Sequence, residues 1–226
     1  MQEKKRLAGW RAAEYVQSDM VVGLGSGSTA RYATLRLAER IRAGELTGIV
    51  GIPTSKDTAA LARQEGIALG NLNGHPRVDI TIDGADEVAP NLDLIKGLGG
   101  ALLREKIVAS ASALHVIVVD DSKLVDLLGT RAPLPVEIVR FGYESTIAKI
   151  AQTGCRVALR IQNGVPFVTD EGHYLVDCRY AEGITAPEEL GATLCAIPGV
   201  VEHGMFLGMA SRVIVAGHQG LSVLER

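Results

Sequence analysis

Short apolar runs alternating with helical stretches constrain this chain more than any other feature. Residues 20–24, 48–52, 78–82 and 115–119 are each too short for a helix, and all are rich in Val and Ile. Between them, residues 30–42 and 56–64 carry helical periods, as do Leu102, Leu103, Ile107, Val108, Ala111 and Leu114. Strands of this kind alternating with helices build a parallel sheet covered on both faces. Leu7, Trp10, Ala13 and Val16 predict a first helix over residues 5–16, and Ser55 and Gly66 cap and stop the helix between them.

After Gly129 the texture changes, and Pro133 and Pro135 mark a boundary. Strands are expected at 136–139, 156–161, 167–169 and 174–178, with Asn163-Gly164 as a hairpin turn, and helices at 143–152 and 187–196 with Pro187 in the first turn. The run at 213–216 is expected to return to the first sheet. The fold class is α/β: a Rossmann-like parallel-sheet domain, 1–130 with 205–226, and a smaller α+β, ferredoxin-like domain, 131–204. With 226 residues, 47% of them hydrophobic, the chain can bury cores for both.

A net charge of −3 without a Lys or Arg run gives no footprint for nucleic acid or an anionic membrane, so a small soluble ligand is expected. No apolar stretch reaches the roughly 18 residues of a membrane span, and residues 1–11 are charged, so a cytoplasmic protein is expected. The 3 cysteines are scattered and read as reduced core residues, and the 5 histidines make no i, i+4 pair. Metal ligation through nitrogen or sulfur is not expected.

The chemistry gathers after the strands, where open α/β sheets bind ligands. Gly25-Ser26-Gly27-Ser28-Thr29 follows the first run; its N–H groups and hydroxyls at a helix start suit a phosphate, and equally a plain helix cap. It lacks the third glycine of a dinucleotide fingerprint and the lysine of a P-loop. Asp83-Gly84-Ala85-Asp86-Glu87 follows the third run. Its carboxylates can bind sugar hydroxyls and move protons, can form a solvated turn, or can hold Mg²⁺ with Glu87 as third ligand. Lys96 in Lys96-Gly97-Leu98-Gly99-Gly100 can meet an oxyanion or phosphate, and Glu105 can face back towards Asp83 and Asp86 from the helix that follows. Lys123 follows the next run and serves the same crevice or a helix cap.

Assembled, these segments resemble ribose-5-phosphate isomerase of the A type. The resemblance runs through residues 23–29, 51–55, 83–87, 96–102, Arg104-Glu105-Lys106, 121–123, 133–137 and 196–201, in family order over almost the whole chain. It implies a metal-independent, cofactor-free aldose–ketose isomerase acting on ribose 5-phosphate and ribulose 5-phosphate in the non-oxidative pentose phosphate pathway. By motif position Glu105 matches the acid/base residue; Ser26 to Thr29, Asp83, Gly84, Ala85, Asp86, Lys96, Gly97, Leu98, Gly99 and Lys123 match substrate-contacting positions. Leu98 stands where that turn more often carries glycine. On this reading Asp83 serves ring opening and Asp86 hydroxyl binding, or the two exchange these roles, and Lys96 serves the enediolate oxygen or the phosphate, for which Lys5 and Lys123 are further candidates. The catalytic set is then Glu105, Asp83, Asp86 and Lys96, the partner a sugar phosphate. A homodimer or homotetramer is expected, with Phe206 and Leu207 near its interface. The rival readings are a non-catalytic sugar-phosphate sensor, for which no basic or helix-turn-helix segment precedes Met20, and an acyl transferase of related fold.

Overall fold

The computed structural model describes residues 2–226. In chain order the elements are α1 (Gln2–Ala13), β1 (Val21–Leu24), α2 (Ala30–Arg42), β2 (Val50–Pro53), α3 (Lys56–Gln64), β3 (Val78–Asp83), β4 (Glu87–Val88), β5 (Leu94–Ile95), α4 (Leu102–Ser110), β6 (Ser112–Asp120), β7 (Leu134–Ile138), α5 (Tyr143–Ala151), β8 (Arg156–Leu159), β9 (Ile161–Gln162), β10 (Val165–Pro166), β11 (Tyr174–Arg179), α6 (Pro187–Cys195), β12 (Val200–His203), β13 (Met205–Phe206), β14 (Arg212–Gly217) and β15 (Gly220–Glu225). Contacts divide the chain into two units. One takes the chain up to Ala85, Arg104–Lys123 and Met209–Arg226; the other takes Asp86–Leu103 and Leu124–Gly208.

The first unit is built on a six-stranded sheet of order β15-β14-β6-β3-β1-β2. All neighbours are parallel except the β14–β15 hairpin. Residues 213–216 therefore do return to this sheet, beside β6. Alternation along the strands puts Val22, Leu24, Ile80, Ile82, Val116 and Val118 on one face, buried with Ala8 and Ala12 of α1 and Ala33 and Leu37 of α2. Each such side chain removed from water is worth about 1.5–3 kcal/mol if Val, Leu or Ile. On the other face Val108 of α4 packs with Ile52, and a Cβ at Gly23 would collide with Thr81 and Val108. Ser55 caps α3 by accepting the Thr58 N–H at 3.1 Å, and Gly66 past its end has a φ of 79°. The first helix runs Gln2–Ala13 rather than 5–16, because past Ala13 the chain continues as single turns closed on the carbonyls of Arg11, Ala12 and Ala13.

The second unit contains a β-α-β-β-α-β arrangement, β7-α5-β8-β11-α6-β12, with an antiparallel sheet of order β12-β7-β11-β8. That is the ferredoxin-like order. Leu134, Val136, Ile138, Val176 and Cys178 share one face of it with Ile150 of α5 and Leu194 of α6. Asn163 and Gly164 both have positive φ, 53° and 80°, as a two-residue hairpin turn between β9 and β10 requires. The third expected strand of this unit lies at 165–166 instead of 167–169, because the hairpin closes directly on the turn.

The contact boundary differs from the one read at 130/131. Residues 86–103 belong with the second unit because β4 and β5 form a ribbon with β13, of order β13-β5-β4. Glu87 adds to this: Oε2 accepts from Gly129 N at 2.5 Å, and Oε1 from Arg131 N and Ala132 N at 2.6 Å each. Phe206, expected near a subunit interface, is 0% exposed and is a core residue instead.

Candidate active site

The strand order of the first sheet reverses direction between β1 and β3, since β2 lies to one side of β1 and every later strand lies beyond β3. The carboxyl ends of β1 and β3 flank the crevice where such sheets take ligands. The turn 25–29 leaves β1 at that point, and Asp83 ends β3.

Hydrogen bonds join these two segments. Gly25 N donates to Ile82 O at 2.9 Å, and Asp83 Oδ1 accepts from Ser26 N at 3.0 Å and from Gly84 N at 2.7 Å. Gly25 is required by this approach, since a Cβ there would collide with Asp83 Oδ1 and the Ile82 carbonyl. Beside Gly84 there is room, the nearest atoms to a Cβ being Ser26 O at 3.8 Å and Val118 O at 3.9 Å. Asp83 is 0% exposed.

The hydroxyl of Ser26 works inward. It donates to Ser55 Oγ at 2.8 Å, Ser55 donates to Thr58 Oγ1 at 3.0 Å, and Thr58 donates to Gly25 O at 3.2 Å. Thr54 Oγ1 lies 2.8 Å from Ser26 Oγ and donates to Leu24 O. This ring of hydroxyls fixes the turn. It leaves Gly27, with a φ of 98°, and Ser28 exposed at the start of α2. Gly25, Gly27, Ser28, Arg31, Asp57, Thr58 and Leu61 line a cavity of about 220 Å³ beside the N-termini of α2 and α3. The helix N-termini favour an anion there, while the Arg31 cation shares the lining with the Asp57 carboxylate.

From α1, Lys5 Nζ donates to Ser28 Oγ at 2.8 Å, and Lys4 Nζ pairs with Asp121 at 2.9 Å, holding that carboxyl below its ordinary range. Lys123 closes the 3₁₀ turn Asp121–Lys123 after β6 and is half-buried. Glu105 stands in the first turn of α4 and is 5% exposed.

The remaining candidates lie in the second unit. Asp86 Oδ2 accepts from Leu98 N at 2.9 Å, so Asp86 and the lysine turn are joined. Lys96 is 2% exposed, donates its N–H to Gly204 O at 2.8 Å, and holds its ammonium 5.4 Å from the ring centroid of Phe206. Gly97 and Gly100 carry the positive φ values of the turn, 101° and 86°. Leu98 is not among the residues with positive φ, so a side chain is admitted where glycine is usual. Glu87 is not offered to a cation at this site, since both of its oxygens serve the N–H groups of residues 129, 131 and 132.

The cysteines are free; Cys155 and Cys178 are buried as expected, but Cys195 at the end of α6 is exposed. Among the described residues Cys195, Glu202 and His203 bring ligand-type atoms within 4.8 Å of one another. His203 Nδ1 accepts from Met205 N at 3.2 Å, which places the ring proton on Nε2, 3.8 Å from Glu202 Oε1. The imidazole there presents a donor instead of a lone pair. Sequence reading passed over the hydroxyls of Thr54, Ser55 and Thr58 as parts of the site. Their position after β2, at the same sheet edge as the turn 25–29, was the available signal.

The family model for ribose 5-phosphate isomerase A (phosphoriboisomerase A) matches residues 50–220. The chain is 52% identical over 222 residues to ribose-5-phosphate isomerase A of Roseiflexus castenholzii, covering 98% of this chain and 94% of that one. It is 56% identical over 221 residues to ribose-5-phosphate isomerase A of Gloeobacter violaceus, covering 97% and 95%. Its structure is similar to that of ribose 5-phosphate isomerase from Plasmodium falciparum, with a TM-score of 0.98, 42% identity, and 100% and 99% of the two chains covered. It is also similar to a D-ribose-5-phosphate isomerase solved in complex with phospho-erythronic acid, with a TM-score of 0.96, 37% identity, and 99% and 98% covered. These relatives are isomerases by name, which sets aside the sensor and acyl transferase readings.

Proposed function

The chain belongs to the ribose 5-phosphate isomerase A family, and we propose that it interconverts ribose 5-phosphate and ribulose 5-phosphate by proton transfer through an enediolate. The observation that carries the site assignment is the carboxylate of Asp83, buried at the reversal point of the first sheet and bonded to the turn 25–29. An acid in that place meets a sugar whose phosphate sits beside the starts of α2 and α3.

Each step has a residue. Asp83 moves the proton between the anomeric hydroxyl and the ring oxygen, which opens the furanose. Glu105 takes the proton from C2 of the aldose, and the electron pair left behind forms the enediolate double bond as charge moves onto the carbonyl oxygen. Moving the hydroxyl proton from O2 to O1 and returning the carbon-bound proton to C1, as the C2 carbonyl forms, completes the ketose. Lys96 faces the enediolate oxygen or the phosphate, and a cation in a dry setting is worth most where charge develops. Asp86 binds hydroxyls, and Gly27, Ser28 and Thr29 hold the phosphate, with Lys5 and Lys123 closing on it. Ser26 supports that turn through its bonds to Ser55 and Thr54. None of these roles calls for a metal or an organic cofactor.

The reading extends to a pentose phosphate pathway enzyme of the cytoplasm that works as a homodimer or homotetramer. Phe141, 94% exposed, and Ile161 and Val165, 54% and 60% exposed, support an apolar self-interface on the second unit. Light scattering during gel filtration tests the assembly. The activity is tested by following ribose 5-phosphate conversion before and after exhaustive chelation, with equal rates expected. Glu105→Gln is expected to cut kcat by about 10²–10⁴-fold, the usual worth of a positioned base; near-normal turnover would move the base to Asp83.

A further inference from the structure

The turn that carries Lys96 is gripped by a side chain from far along the sequence. Arg160, directly after β8, donates from Nη1 to Gly97 O at 3.1 Å and to Leu98 O at 3.0 Å. Its other edge is forked onto Asp177 of β11, with Nε to Oδ2 at 3.0 Å and Nη2 to Oδ1. The backbone of Arg160 is itself pinned, its N–H on Leu175 O at 2.8 Å and its carbonyl accepting from Phe167 N at 2.9 Å. Phe167 then fills the space beside Gly100 that a Cβ would need.

This grip sets the direction of two peptide planes. In a trans peptide the C=O and N–H point opposite ways. With Gly97 O turned onto Arg160, the N–H of Leu98 points away from it, and there it meets Asp86 Oδ2 at 2.9 Å. The same geometry applies one residue on: with Leu98 O on Arg160, the N–H of Gly99 faces away from the guanidinium.

We propose that Arg160, oriented by Asp177, is a positioning residue of the isomerase reaction, holding the turn 96–99 so that Asp86, Lys96 and the Gly99 N–H keep their working directions. This rests on the roles given above to Asp86 and Lys96. Only a guanidinium supplies the donors: it serves two carbonyls and a carboxylate at once, which an ammonium on a flexible stem does not.

The test is steady-state kinetics on the full chain for Arg160→Lys, Arg160→Ala and Asp177→Asn, with thermal melts, beside Lys96→Ala and Asp86→Asn. Arg160→Ala is expected to lower kcat by roughly 100-fold, the scale of a misplacement of about 1 Å, with a smaller change in KM. Arg160→Lys should fail to rescue, added guanidinium ion should restore part of the loss in Arg160→Ala, and Asp177→Asn should fall in the same direction by less. The inference is overturned if Arg160→Lys and Asp177→Asn melt like the parent and keep kcat within about threefold while Lys96→Ala and Asp86→Asn are impaired. If Lys96→Ala and Asp86→Asn turn over normally, the roles of those residues fall instead, and the inference with them.

Discussion

The carboxylate of Asp83 accepts the backbone N–H of Ser26 at 3.0 Å, which ties the end of β3 to the turn after β1. The same oxygen accepts Gly84 N at 2.7 Å, so this side chain both shapes the turn and carries an acid. Asparagine separates the two tasks, because its amide oxygen still accepts both N–H groups but takes up no proton. Asp83→Asn should therefore melt within a few degrees of the parent and lose about 10²–10⁴-fold in kcat. Asp83→Ala should in addition lose about 1–3 kcal/mol of stability, since two N–H groups forfeit their acceptor. Turnover by Asp83→Asn at the parent rate would transfer ring opening to Asp86.

The turn 27–29 predicts a different kinetic signature. If Ser28 and Thr29 bind phosphate in both ground and transition states, removing their hydroxyls weakens the two equally. The double change Ser28→Ala, Thr29→Ala should raise KM for the phosphorylated sugar about tenfold or more and leave kcat nearly unchanged. Lys5→Met should act in the same direction and make KM less sensitive to salt, since Lys5 Nζ already sits 2.8 Å from Ser28 Oγ. An unchanged KM in the double variant would place the phosphate elsewhere.

How much of this was legible in the sequence follows from the range of each interaction. The helices Ala30–Arg42 and Lys56–Gln64 lie where their apolar periods and the Ser55 and Gly66 signals put them, because those signals are local. The placement of Asp83 and Ser26 at strand ends was legible for the same reason. The two-residue strands β4, β5 and β13 were not, since so short a run shows no period, and β13 pairs with β5 from more than a hundred positions along the chain. Side-chain service was also hidden. The Ser26 hydroxyl turned inward because its partners Thr54, Ser55 and Thr58 stand about thirty residues on, and Arg160 found the turn at 97–98 from sixty-two residues away. Glu87 read as a ligand beside Asp86, yet it faces the N–H groups of residues 129–132, which no local pattern reveals.

Glu137 in β7 gives a prediction about pH. It is 1% exposed, and Oε1 is hydrogen-bonded to Thr169 Oγ1 at 2.9 Å and to His173 Nδ1 at 2.9 Å. Burial pushes its carboxyl above the ordinary value, and the bonds from Thr169 and His173 offset only part of that. A carboxyl with a higher pKa folded than unfolded binds more protons in the native state over the window between the two values. Its contribution to stability is therefore full below the unfolded value of about 4.3 and is lost as pH rises through the folded one. Glu137→Gln keeps an oxygen for both hydrogen bonds and removes the titration. Urea unfolding from about pH 4 to about pH 8 should show the parent losing stability relative to Glu137→Gln as pH rises, then a constant difference once Glu137 is ionised. Groups remote from Glu137 that titrate in both proteins cancel in that comparison. A difference that stays flat, or that moves in favour of the parent as pH rises, would mean that the bonds from Thr169 and His173 outweigh burial in setting the charge of this carboxyl.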